Sequence, residues 1–276
     1  MVFRARKTCV ALPWKGRRPN YSSTMDISSF WQRLLGWGRE LKSILLAVGF
    51  VLIVRTVLAE PYHVPSPSMV PTLLTGDQLV AAKYAYGYSR YSSPIDLMPD
   101  FSGRLLGKTP ERGDVVVFRL PREPSTTYVK RLIGLPGDRI QMKGGRLYIN
   151  DAIVSRRLVG PFTGDAGARN TPTLYVETLP GGREHEIVEM SDADQQDDTP
   201  VFVVPPRHYF MMGDNRDNSV DSRIAISDGG VGFVPEDNLV GRADLVLLSR
   251  DPAVGWFDVA EWSHAFRPGR LLGRIH

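Results

Sequence analysis

Apolar positions along this chain fall into two regimes. Ile44 to Val54 form one unbroken, uncharged apolar run. Extended to Leu41 and Ala59, it predicts a helix of roughly 28 Å at 1.5 Å per residue. That helix reaches across a bilayer core only if Lys42 and Arg55 snorkel to the two interfaces; a buried core helix is the competing reading. Trp31 to Gly38 is too short and too polar to span. Beyond Ala59 the pattern changes to short β-branched or alternating runs cut by Gly and Pro. Gly113 to Leu120 reads as a strand, Arg139–Met142 and Arg146–Ile149 flank the turn Lys143-Gly144-Gly145, and Asn150-Asp151 turns into Ala152–Val154. Successive hairpins predict an all-β domain, an irregular barrel or packed antiparallel sheets, behind one N-terminal transmembrane helix.

Two stretches interrupt the strand pattern. Tyr84 to Lys108, rich in Tyr, Ser, Pro and Gly, reads as a mobile loop near the membrane, and the region at about 156–200 as an insertion or long hairpin. Within the insertion, Asp192, Asp194, Asp197 and Asp198 have the look of a calcium loop. The glycine and the terminal glutamate of such a loop are missing, so they read as a solvated acidic loop and no metal is expected.

Charge adds a topology. The whole chain carries a formal net charge of +4, yet Met1 to Lys42 hold nine Lys/Arg against Asp26 and Glu40, so the remainder is net acidic. The basic pI therefore belongs to the tail, and nucleic acid is not an expected partner of the main domain. By the positive-inside rule the tail faces the cytoplasm, and everything after Ala59 faces outward. The expected layout is a basic tail over 1–40, the spanning helix over 41–59, and an extracytoplasmic β domain over 60–276. The single cysteine, Cys9, excludes an intramolecular disulfide and a Cys-based metal site.

The candidate chemistry lies in two distant segments. Pro65-Ser-Pro-Ser-Met69 offers a serine just beyond the apolar run, and Tyr128-Val-Lys-Arg131 a lysine. A serine hydroxyl needs an adjacent base, which is most often histidine but can be a lysine kept neutral by burial. Strand alternation puts Tyr128, Lys130 and Leu132 on one face and Val129 and Arg131 on the other, so Lys130 is the cation with apolar company. Ordinarily a strand lysine is a solvated charge. Of the histidines, His63 is nearest to Ser68 in sequence, but an extended Val64–Pro67 would carry it ~15 Å away. His208 reads as a surface or packing residue.

Five segments in order weigh against the ordinary reading. Ser66-Pro-Ser-Met-Val-Pro-Thr-Leu73, Arg112-Gly-Asp-Val-Val-Val-Phe118, Tyr128-Val-Lys-Arg-Leu-Ile-Gly-Leu-Pro-Gly-Asp138, Gly213-Asp-Asn-Arg-Asp-Asn-Ser-Val-Asp-Ser-Arg223 and Gly241-Arg-Ala243 resemble the boxes of bacterial type I signal peptidase. The resemblance runs from about Leu41 to about Ser249 and thins between Ser155 and Pro200. It implies that Ser68 is the nucleophile and Lys130 the general base. Ser66 matches the serine that joins the Ser68 N–H in the oxyanion hole, and Ser219 the serine that orients the lysine. Asp221 and Arg223 match a structural ion pair beside the site, with Asp214 in the same loop. Pro67 stands where many members have glycine, which stiffens the loop without removing the expected donor.

The resemblance further implies a membrane-anchored serine endopeptidase on the outer face of the plasma membrane. Its substrates would be signal peptides of secretory preproteins, cut after a small residue. Tyr62, Val64, Met69, Leu73, Tyr128 and Val129 are the expected substrate-binding residues, against which the chain would add as a strand. The further partners it implies are membrane lipids and the export translocon, and neither cofactor nor metal is called for. A more specialised Ser/Lys processing protease and an anchored binding protein with a dead site are the alternatives; intact Ser68 and Lys130 argue against the second.

Overall fold

A computed structural model describes residues 27–92, 103–167, 171–255 and 261–276, which divide into two compact units between Val48 and Gly49. Helix α1 covers Ile27–Val57, so it begins well before the expected Leu41. It stops short of Ala59 because Pro61 follows closely, and the residue before a proline is driven to extended backbone. Strand β1 (Ala59–His63) starts there instead, pairing with β2 (Asp77–Ala82) from Ala59↔Ala82 to His63↔Gln78. Among the described residues no helix is long and apolar enough to cross a membrane.

Among the described residues thirteen further strands follow. They are β3 (Val115–Leu120), β4 (Glu123–Gly134), β5 (Arg139–Lys143), β6 (Arg146–Ile149), β7 (Ala152–Ile153), β8 (Ser155–Pro161), β9 (Thr173–Thr178) and β10 (Glu184–Glu189), then β11 (Phe202–Val203), β12 (His208–Met212), β13 (Val234–Pro235), β14 (Leu239–Ser249) and β15 (Gly273–Arg274). An eight-stranded sheet orders them β1-β2-β14-β3-β4-β12-β13, with β15 on β14. The strand pairings within the sheets are antiparallel. Among the described residues the large sheet runs from edge to edge without closing, so of the two expected architectures the packed sheets are present there and the barrel is not. The region of the insertion forms its own three-stranded sheet, β10-β9-β8, and β11-β5-β6-β7 make a third.

The β-branched run of β3 is buried on both faces, as a central strand should be. Val115 and Val117 join Val64, Met69, Leu73, Leu79, Val240, Ala243 and Val246 in one cluster. Val116, Phe118 and Leu120 join Leu132, Tyr209, Met211 and Val234 in another. Each such side chain removed from water contributes on the order of 1.5–3 kcal/mol. Both expected hairpin turns form: Gly144 and Gly145 take positive φ, and Asn150 and Asp151 do so without being glycine. Asn150 stabilises its turn by accepting the Arg139 N–H on Oδ1 at 2.9 Å.

The stretch 84–108 departs from the expectation of a mobile loop at its flanks; its tip, 93–102, lies outside the described residues. Tyr86 is buried in the second cluster and donates its hydroxyl to Asp114 at 3.0 Å. Arg104 spends its guanidinium on the carbonyls of Tyr86, Gly87, Glu236 and Leu239.

Candidate active site

Ser68 lies in the 3₁₀ turn Pro67–Met69, entered from Ser66 in extended backbone (φ −132°, ψ 155°). Proline at the first position of a turn fits because its φ is already fixed there. Lys130 lies in the middle of β4, opposite Val116 of β3. Strand alternation works as expected for its neighbours, Tyr128 and Leu132 packing with the Phe118 cluster and Val129 with the Val117 cluster. Lys130 Nζ donates to Ser68 Oγ at 2.5 Å. Ser66 Oγ lies 3.3 Å from Ser68 Oγ, so three polar atoms meet at one point.

Only 2% of Lys130 is exposed. Burial pushes its ammonium down to about 8, against the opposing pull of Asp221 and Asp214 and with the help of Arg223. Among the described residues no carboxylate forms an ion pair with Lys130, because the nearest acids are committed elsewhere. Asp221 takes Arg223 in a two-pronged pair at 2.9 Å on each oxygen. Asp214 takes Arg131 the same way, at 2.8 Å twice, and accepts Thr72 Oγ1 at 2.6 Å. Burial alone would raise both carboxyls; the paired arginines more than offset it, and both lie below their usual range.

The loop 213–219 is stitched onto the serine turn. Asn215 donates its N–H to the Ser68 carbonyl at 3.2 Å and its side-chain amide to the carbonyls of Pro67 and Ala166. Gly213 is required here: a Cβ on it would stand 2.5 Å from the Ser68 carbonyl oxygen and 2.2 Å from Ser219 Oγ. Arg216 is buried and bound by both oxygens of Glu177 of β9, which fixes the insertion sheet to the same loop.

Ser68 opens into a cleft of about 510 Å³ lined by Tyr62, Ser66, Leu79, Val117, Tyr128, Val129, Lys130 and Ser219, with Gln196, Asp217, Asn218 and Val220 among its other walls. Of the six expected substrate contacts, Tyr62, Tyr128 and Val129 line it. Val64, Met69 and Leu73 do not; they are buried in the cluster beneath. They turn inward because Val64 is tied to β2 through both backbone groups, to Asp77 and Gly76, and because the turn at 67–69 points Met69 down.

Ser219 lines the cleft, but among the described residues its Oγ makes no hydrogen bond. The expected bond to the lysine is thus absent, Nζ being directed at Ser68 instead. His63, expected well away, lines the same cleft; the lysine, however, is what contacts the serine. His208 is occupied with the Pro206 carbonyl at 2.9 Å. Asp197, expected in a solvated loop, is fully buried, whereas Asp192, Asp194 and Asp198 are exposed.

Local sequence gave no sign of Arg131 as the partner of Asp214, of Asn215 as a clamp, or of Glu60. Glu60 accepts Tyr62 Oη at 2.8 Å and Arg55 at 2.8 Å and pairs with Lys83 at 2.7 Å, so the tyrosine of the cleft wall is held from behind. A sequence signal was the density of charged residues in short, loop-rich segments such as Gly213–Arg223, which the structure buries.

A serine hydroxyl bonded to a buried amine, with a second hydroxyl beside it and an open cleft in front, on an antiparallel scaffold, defines a candidate serine hydrolase in which lysine occupies the place of histidine. The profile of the family described as "Signal peptidase, peptidase S26" matches residues 37–248. The signal peptidase I of Rickettsia typhi is 41% identical over 227 residues, covering 80% of this chain and 83% of that protein. That of Rickettsia prowazekii is 40% identical over 227 residues, with 80% and 83% covered. A solved signal peptidase I from Enterococcus faecalis aligns with 49% of this chain and 97% of its own at 27% identity and a TM-score of 0.30, too low to bear on the fold. The chain belongs to the signal peptidase family, peptidase S26, and is a hydrolase of that kind.

Proposed function

We propose that this chain is a membrane-anchored serine endopeptidase that removes signal peptides from exported preproteins by a Ser68/Lys130 dyad. The observation that carries the reading is the 2.5 Å bond from Lys130 Nζ to Ser68 Oγ at the floor of an open cleft. Neutral Lys130 takes the Ser68 proton as Oγ attacks the scissile carbonyl, and returns it to the leaving amine. Water then attacks the acyl-serine ester with the same amine as base. The Ser68 N–H and Ser66 Oγ stabilise the oxyanion, a type of contact commonly worth ~3 kcal/mol per donor. The substrate lies extended between Tyr62 and Tyr128–Val129, adding to the free edge of β1. In this reading Ser219 limits the space beside the lysine rather than bonding to it, and Asp214, Asp221 and Arg223 hold the loop.

The anchor rests on α1. Leu41, Ile44, Leu45, Leu46, Phe50, Val51 and Ile53 are exposed, an apolar surface that lipid would cover. Its uncharged part, between Lys42 and Arg55, covers only roughly 18 Å, so both cations must sit at interfaces. The basic tail then lies in the cytoplasm and Ser68 on the outer face of the plasma membrane, near the translocon where preproteins emerge.

The test is cleavage of a preprotein by the full chain in detergent. The wild type should release a mature protein whose new N-terminus follows a small residue, and Ser68→Ala should release none. Protease added outside sealed spheroplasts should digest residues after Ala59 and spare the tail; the reverse pattern would place Ser68 on the side where exported chains do not emerge.

A further inference from the structure

Beside the cleft, three carboxylates from separate parts of the chain converge: Glu189 at the end of β10, Asp197 in the following loop, and Asp217 in the turn Arg216–Asn218. One oxygen of each lies within 4.8 Å of the others. Each uses one oxygen for the protein. Glu189 Oε2 accepts Arg156, Asp197 Oδ2 accepts the Asp194 N–H at 2.6 Å, and Asp217 Oδ2 accepts the N–H groups of Met190 and Ser191 at 2.6 and 3.1 Å. Each also has an oxygen, Glu189 Oε1, Asp197 Oδ1 and Asp217 Oδ1, that is shut off from solvent and hydrogen-bonds to nothing among the described residues. Glu189 is 2% exposed and Asp197 0%.

Buried polar atoms normally find a partner, and a buried acceptor without one costs ~1–3 kcal/mol. Three such acceptors on three clustered carboxylates are not accounted for by turn formation, which employs only the opposite oxygens. Charge gives the same result. Among the described residues Arg156 is the only cation paired with any of the three, since the nearby Arg216 is taken by Glu177 and Arg223 by Asp221. Arg156 is moreover shared with Asp192, so at least two carboxylate charges are left over, enough to hold one divalent ion.

We propose that Glu189, Asp197 and Asp217 bind one hard divalent cation of calcium size, with water completing its shell. All donors are oxygen, and ligand distances of ~2.3–2.6 Å allow oxygen pairs up to about 5 Å apart, which matches the cluster. Asp217 adjoins Asn218 and Ser219 in the cleft wall. The ion therefore clamps the insertion sheet and the 190–200 loop to the wall of the catalytic cleft, in a structural role and with no part in the hydrolysis.

The experiment is thermal unfolding of the full chain in detergent after chelation, with calcium chloride titrated back, read as each protein's own difference between the chelated and calcium-loaded states. The wild type should show a saturable rise in Tm on the order of 5 °C at about 100-fold excess over Kd. Glu189→Gln and Asp197→Asn should lose that rise, and Asp228→Asn, an exposed acid elsewhere, should keep it. Magnesium should do less, because it demands a tighter octahedral shell. No rise in the wild type at about 10 mM calcium, ~10-fold above the weakest dissociation constants of extracellular calcium sites, or an equal rise in the wild type and both cluster variants, overturns the site.

Discussion

Lys83 and Lys130 are both buried, at 0% and 2% exposure, yet their surroundings differ in one respect. Lys83 Nζ touches a carboxylate, Glu60 at 2.7 Å, and the Ser92 carbonyl at 2.5 Å. Lys130 Nζ touches a hydroxyl, and the acids closest to it are each locked to an arginine. Burial lowers the pKa of both; at Lys83 a direct bond to Glu60 opposes it, whereas at Lys130 only the charges of Asp221 and Asp214 do, neither of them in an ion pair with it, and the value falls to about 8. Burial alone therefore does not make a lysine a base; burial with its counter-ions committed elsewhere does. Arg131 and Arg223 serve the proposed mechanism by holding Asp214 and Asp221 away from the amine.

The largest effect that separates the two lysines is on turnover. Lys130→Ala should lower preprotein cleavage by at least ~10⁴-fold, since members of a catalytic unit fail together, and Lys130→Arg should fail as well because guanidinium holds its proton. Lys83→Met should stay within ~10-fold of the wild type. Comparable losses at both positions in single-turnover assays would erase the distinction.

Stability should separate them with opposite signs. A lysine at about 8 when folded and 10.5 when unfolded binds more protons in the unfolded chain between those values, so it costs stability below about pH 8, and that cost disappears as pH rises through about 10.5. Lys130→Met should accordingly raise stability at pH 7 by up to ~3 kcal/mol, with the gain shrinking toward pH 10.5. Lys83→Met should lower it by ~1–3 kcal/mol, because Glu60 keeps only Arg55 and Tyr62. Denaturant titration across pH reads both.

The smallest effects concern the two other serines. Ser66→Ala should lower kcat by about 10- to 100-fold with KM nearly unchanged, as for a donor that acts on the transition state. Ser219→Ala should change kcat by only a few fold, because its hydroxyl bonds to nothing among the described residues. A loss at Ser219 as large as that at Lys130 would restore the orienting bond expected from the motif.

Elements with a local signature were legible beforehand. The β-branched run of β3, the two hairpin turns and the pairing of Asp221 with Arg223 two residues away all depend on neighbours in sequence. What was not legible depends on distant partners. Arg131 finds Asp214 across 83 residues, and nothing near either one announces the other. Val64, Met69 and Leu73 are apolar and close to Ser68, which says that they pack but not whether they face cleft or core; the bonds of Val64 to Asp77 and Gly76 and the turn at 67–69 decide that. Asp197 shares its acidic surroundings with three exposed neighbours, and only the fold of the insertion buries it alone.

The most direct test of the central claim is the pH dependence of kcat/KM for preprotein cleavage, which reports the ionisation of the free enzyme. The account predicts one ascending limb with a midpoint near 8, where burial has brought the Lys130 ammonium, and no change of midpoint in His63→Ala. An ascending limb that vanishes in His63→Ala, the histidine that shares the cleft with Ser68, would contradict it and assign the base to histidine.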